Sequence, residues 1–202
     1  MLAALPSNAA AIDSDTRVVI RLYQSTVLPG DPVPAMGTAA AILEAAGLAV
    51  TWVACGAIPV RHEHDPCVAP LEANELAIRF VRLPASRGQA DPVALGYSLV
   101  DTRLRAGALA TVYVDRVEAL AAARRLDVPT LLGRAMAHEV GHLLLGTADH
   151  APAGLMRAVW SPDTLRHDRP GDWAFTSSDA QAVREAVRVR TARQLRTSRV
   201  GN

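Results

Sequence analysis

The stretch from Asp127 to Gly146 constrains this chain more than any other part of its 202 residues. Asp127 and Pro129 supply an N-cap and an early-turn proline, and Gly146 supplies a stop, so a helix is predicted up to Leu145. Inside it lies His138-Glu139-Val140-Gly141-His142. Spaced by four, the two histidines stand one turn apart on one helical face, where both imidazoles can reach the same ion. Zn2+ is the ion that such an HExxH pair suits. Glu139 projects beside the first histidine, placed to take a proton from water without itself ligating. The plainer reading, two histidines on an ordinary amphipathic helix, accounts for neither the spacing nor the capping.

A catalytic zinc takes three protein ligands, so a third is needed. The sequence runs on as Leu143-Leu144-Leu145-Gly146-Thr147-Ala148-Asp149-His150. An unbroken helix would carry His150 about 12 Å beyond His142, too far to share a metal. A left-handed turn at Gly146 would bring the chain back and let His150 approach from below. Asp149 is the rival, because a carboxylate also binds zinc. Glu185, on the last predicted helix, is a weaker third-ligand candidate.

These residues resemble the metzincin branch of the zincin metallopeptidases, whose motif is HExxHxxGxxH followed by a Met-turn. Here the spacing is HExxHxxxGxxxH, with the glycine one residue later and the last histidine two residues later. Ala153-Gly154-Leu155-Met156 follows closely, and Met156 looks like the Met-turn methionine that floors the zinc histidines. The string is similar to that of small bacterial zincin-like proteins in which HELGHLLLG precedes a near histidine and Gly-Ile-Met. The resemblance covers about Arg17 to Met156. It implies zinc held by His138, His142 and His150, Glu139 as general base and acid, and peptide-bond hydrolysis. It also implies a mixed, twisted sheet whose antiparallel edge strand binds substrate in extended form, for which Val93–Val100 is the choice. No tyrosine follows Met156, so oxyanion stabilisation would fall mainly to the metal, with His167 as a possible helper.

The remaining elements fit an α/β chain with an α+β, zincin-like order. Arg17–Thr26, Leu48–Ala54, Glu75–Leu83, Val93–Val100 and Ala108–Asp115 are predicted strands, rich in β-branched residues or alternating in polarity. Pro32 and Pro34 open a backing helix over Ala35–Ala46, which Gly47 closes. So short a crossover makes the first two strands parallel neighbours. Further helices are expected at Asp115–Leu126 and, with Ser178 and Gln181 as a capping box, at Asp179–Arg196. Residues 1–16 are expected to be a flexible lead-in or a signal remnant. Residues 17–202 would form one domain, with 17–146 as an upper part and 147–202 as a lower part. Segments 56–74, 84–92 and 161–175 are expected as loops around the cleft.

Composition sets the remaining bounds. Half the residues are apolar and a fifth are charged, which suits a globular chain with a real core. The longest apolar run, Leu48–Val60, is interrupted by Gly56 and Pro59 and falls short of the roughly 18 residues of a membrane span. Twenty-one arginines, with no lysine, face 20 acidic groups for a net charge of +1. Balanced charge without an aromatic platform argues against a nucleic-acid partner, although arginines crowd the C-terminus. The expected partner is a peptide or protein substrate met by a monomer. Cys55 and Cys67 are the only cysteines; their pairing would place the protein in an oxidising, secreted or periplasmic compartment and add about 2–3 kcal/mol. Between them, His62 and His64 could hold a second ion, although a solvated loop is the plainer reading. The competing overall reading is a zincin-fold module that binds zinc without cutting peptides.

Overall fold

The computed structural model describes residues 14–24, 30–56, 65–83 and 94–200. Among these residues five strands form one sheet: β1 (Arg17–Gln24), β2 (Ala49–Cys55), β3 (Glu75–Val81), β4 (Gly96–Asp101) and β5 (Ala106–Tyr113). Their order is β2-β1-β3-β5-β4. β1 runs parallel to β2 and β3, and β3 parallel to β5, while β4 is antiparallel to β5 at the edge. The sequence expectation of a mixed sheet with an antiparallel edge strand holds. The antiparallel pair follows from the tight Asp101–Arg105 turn, which leaves no room for a crossover.

The helices are α1 (Val33–Ala45), α2 (Val114–Arg124), α3 (Val128–Leu145), α4 (Pro162–His167) and α5 (Ser177–Val200). Val18, Ile20 and Leu22 of β1 alternate onto one face of the sheet, beside Leu76, Ile78 and Phe80 of β3. Ala35, Ala39 and Leu43 of α1 and Leu131, Ala135 and Leu143 of α3 complete that core. Each such large aliphatic side chain stabilises by about 1.5–3 kcal/mol on full burial. α3 is buried on nearly every side from Leu131 to Leu144, so its polar residues are held in the interior rather than on a wet face.

On the opposite face of the sheet, polar side chains of β1 meet the chain after Cys67. Arg21 is buried, pairs with Glu75, and donates to the carbonyls of Ala69 (2.6 Å) and Pro70 (3.1 Å). Tyr23 donates to the Cys67 carbonyl (3.0 Å), and Cys67 is disulfide-bonded to Cys55 at the end of β2. Two of the C-terminal arginines are structural. Arg184 donates to Ala46 O (2.7 Å), just past α1, and Arg190 reaches Leu143 O (3.3 Å) in the last turn of α3.

Several expected boundaries move. β4 begins at Gly96 rather than Val93, and 91–93 lie outside the described residues. Segment 161–175 is not a plain loop: Ser161 caps α4 by accepting from Thr164 N, with Pro162 in the first turn. α5 begins at Ser177, capped by Thr176, whose Oγ1 accepts from Asp179 N (3.2 Å), and not by the expected Ser178–Gln181 box. A threonine two residues earlier competes for the same orphan N–H groups and is the one that meets them.

Candidate metal centre

α3 starts where Asp127 accepts hydrogen bonds from Thr130 Oγ1 (2.6 Å) and Thr130 N (2.9 Å), which together hold the Asp127 carboxyl below its ordinary range. It ends at Gly146 in the left-handed conformation (φ 64°). A Cβ on Gly146 would stand 2.3 Å from the backbone carbonyl of Arg105, so both the backbone angle and the close β4–β5 turn require glycine. The chain then reverses, and His150 returns to the two helical histidines. The ligand atoms of His138, His142 and His150 all lie within 4.8 Å of one another.

The hydrogen bonds fix which nitrogens face the shared space. His138 Nδ1 lies 2.9 Å from Leu155 O, and His142 Nδ1 lies 2.9 Å from Thr147 O. A carbonyl only accepts, so each Nδ1 carries the proton and each Nε2 keeps a lone pair. Those two Nε2 atoms are 3.0 Å apart. Two acceptors facing each other in a buried site repel unless a cation lies between them. Nitrogens about 2.0–2.1 Å from one tetrahedral zinc would stand about 3.3 Å apart, close to this separation. Burial pushes the pKa of His138 down to about 4 and lowers that of His142, which keeps both in the neutral, ligating form at pH 7. The donor set is one that can bind zinc.

Glu139 is buried beside this group, and burial pushes its pKa up to about 7, with a Ser98 hydrogen bond opposing. Ser98 Oγ lies 2.6 Å from Glu139 Oε2 and 2.8 Å from Glu139 O. Two residues earlier on the same face of β4, Gly96 leaves space for the carboxylate: a Cβ there would stand 2.5 Å from Oε1. Below the histidines, Met156 is buried. Its Sδ occupies the place next to Gly141, where a Cβ would meet it at 2.5 Å. The segment carrying Met156 is pinned by Leu155 N to Ala174 O and Ala151 N to Met156 O, both 2.8 Å. His138, Glu139, His142 and His150 open onto a cavity of about 640 Å³ that Ser98, Leu120 and Trp160 also line.

One chain of similar fold is a zinc-dependent peptidase from Methanocorpusculum labreanum. It is 17% identical, with a TM-score of 0.52, over 82% of this chain and 99% of that one. No protein-family model and no curated protein sequence matches.

The other expected residues are not brought into the cluster. Asp149 is exposed and its carboxylate accepts from Thr147 Oγ1 (2.9 Å). Glu185 faces Arg188 on α5, and His167 is tied within α4 to Asp163. His62 and His64 lie outside the described residues. Sequence reasoning missed Ser98, Gly96 and Trp160. Trp160 Nε1 donates to the same Leu155 carbonyl that receives His138 (3.3 Å), and its ring stands edge-on to His138 at 5.8 Å. No sequence motif marks these three residues, since each acts through a tertiary approach to α3.

Proposed function

We propose that this chain is a zinc-dependent metallopeptidase of metzincin-like type, acting as an endopeptidase. The observation that carries the reading is the convergence of His138, His142 and His150 next to the buried Glu139 carboxylate in one open cleft. The fold it shares with a zinc-dependent peptidase is consistent with it. Zinc held by the three imidazoles supplies a Lewis acid that polarises a peptide carbonyl and makes water a nucleophile near pH 7.

The protein's own groups do the rest. Glu139 accepts the proton of the attacking water and returns it to the leaving amine, which balances the hydrolysis. Ser98 and Gly96 hold its carboxylate on the β4 side, while the Nδ1 hydrogen bonds to Leu155 and Thr147 keep two imidazoles aimed. Met156 lies under α3 as the Met-turn residue. Substrate adds as a further strand to the outer edge of β4, which has no neighbouring strand on that side among the described residues. The Cys55–Cys67 disulfide suits a secreted or periplasmic protein. Glu139→Ala is expected to bind zinc stoichiometrically and hydrolyse no peptide; hydrolysis retained in that variant would overturn the reading.

A further inference from the structure

One wall of the cleft is built by α2. Arg116, Leu120 and Arg124 follow at intervals of four, which stacks them along one helical face. All three line the same cavity as His138, Glu139 and His150. Among the described residues its charged lining is Arg116, Arg124 and Arg157 against the single Glu139 carboxylate and the histidines. The three arginines are not equivalent. Arg157 is spent on structure: it pairs with Asp172 and donates to Thr164 Oγ1 at 2.9 Å. Arg116 donates to the Ala94 carbonyl (2.7 Å) and lies over the Tyr113 ring (4.3 Å). Both contacts leave its charge uncompensated. The Arg124 side chain is exposed and has no hydrogen-bond or ion-pair partner among the described residues.

We propose that this wall is a subsite for a peptide carboxylate, so that the substrate is an acidic peptide. The proposal rests on the peptidase reading for the peptide itself. Leu120 and Leu95 take the aliphatic part of the bound residue, and Arg124, backed by Arg116, holds the carboxylate. A guanidinium matches a carboxylate in both charge and fork geometry. A concave, largely apolar cleft also screens that attraction less than open surface does. The carboxylate can come from an aspartate or glutamate side chain or from the end of the peptide. Either source meets the same two groups.

The test uses the zinc-loaded full chain carrying Glu139→Ala, so that bound peptide stays intact, and reads fluorescence anisotropy of labelled decapeptides. Four probes share one sequence: an internal Glu with an amidated C-terminus, Gln with an amide, Gln with a free C-terminus, and Lys with an amide. A carboxylate probe is expected to bind about tenfold tighter than the Gln amide, less so in high salt. Whichever of the Glu-amide and the free-terminus probes shows the gain identifies the source. Arg124→Gln should reduce the gain to about twofold or less, and Arg124→Glu should turn the preference toward Lys. Arg124 is the deciding position because Arg116 also supports the Ala94 carbonyl. Equal binding of all four probes, or a preference that survives Arg124→Glu, overturns the proposal. If wild-type protein cuts no peptide yet shows the preference, the peptidase reading fails and the subsite stands; hydrolysis without charge preference is the reverse.

Discussion

Ser98 on the edge strand holds Glu139 on the active-site helix, hydroxyl to carboxylate, at 2.6 Å. A hydrogen bond to the ionised form lowers a carboxyl pKa, whereas the burial of Glu139 raises it to about 7. Removing the hydroxyl therefore leaves burial unopposed and moves the pKa further up. If Glu139 is the base, Ser98→Ala shifts the acid limb of the rate profile to higher pH by about one unit, since a hydrogen bond to a charged group contributes about 1.5–3 kcal/mol. Zinc content stays at wild-type level, kcat at pH 7 falls about fivefold as the ionised fraction of Glu139 drops, and Ser98→Thr restores most of it. A pH–rate profile of Ser98→Ala that overlays wild type would show that the bond does not tune Glu139.

His150 and Asp149 are neighbours in sequence but not in role. His150 joins the two buried imidazoles, while the Asp149 carboxylate turns to Thr147. His150→Ala is expected to weaken zinc binding by at least 100-fold in a chelator competition, as loss of one of three ligands should. Asp149→Ala should change it less than threefold. The opposite ranking would make the carboxylate the third ligand.

Local signals carried far in this chain, and their failures share a cause. Asp127, Pro129 and Gly146 announced both ends of α3 because caps and stops are decided within one turn of backbone. The reversal after Gly146 followed from the same glycine, and with it the return of His150. The five strands were legible from alternation and β-branching, yet β4 starts three residues late, at Gly96. What was not legible is what the third dimension decides. Nothing in Gly96-Tyr97-Ser98 as a string marks it as the holder of a carboxylate 41 residues away. Nor does Ser161-Pro162 reveal that its short helix α4 will lie near Arg134 and Trp173 through Asp168.

Gly141 within the HEVGH string is a packing requirement. A Cβ there would stand 2.5 Å from Met156 Sδ and 2.9 Å from Phe175 Cε1. Both partners are buried, so neither has open space to retreat into. Gly141→Ala should destabilise the fold by about 1–3 kcal/mol despite the better helix propensity of alanine. Met156→Leu, which nearly conserves volume, should cost less than about 1.5 kcal/mol. Urea unfolding of the zinc-free forms measures both without interference from the metal. A Gly141→Ala variant as stable as wild type would mean that the Met156 segment yields freely.

Trp160 ties the state of His138 to an optical signal. Its Nε1 and His138 Nδ1 both donate to Leu155 O, and the two rings meet edge-on at 5.8 Å. Trp173 lies next to Trp160 at 5.2 Å, whereas Trp52 sits on β2, at the far edge of the sheet from β4. An imidazole that gives up its Nε2 lone pair to a cation becomes a stronger Nδ1 donor, and so competes harder for the shared carbonyl. Adding zinc to chelator-stripped protein should therefore change the tryptophan emission, saturate at one equivalent, and reverse with chelator. In Trp160→Phe most of that change should vanish while zinc stoichiometry measured by metal analysis remains one. If the full change persists in Trp160→Phe, the emission reports another tryptophan, and the shared carbonyl does not couple Trp160 to the metal centre.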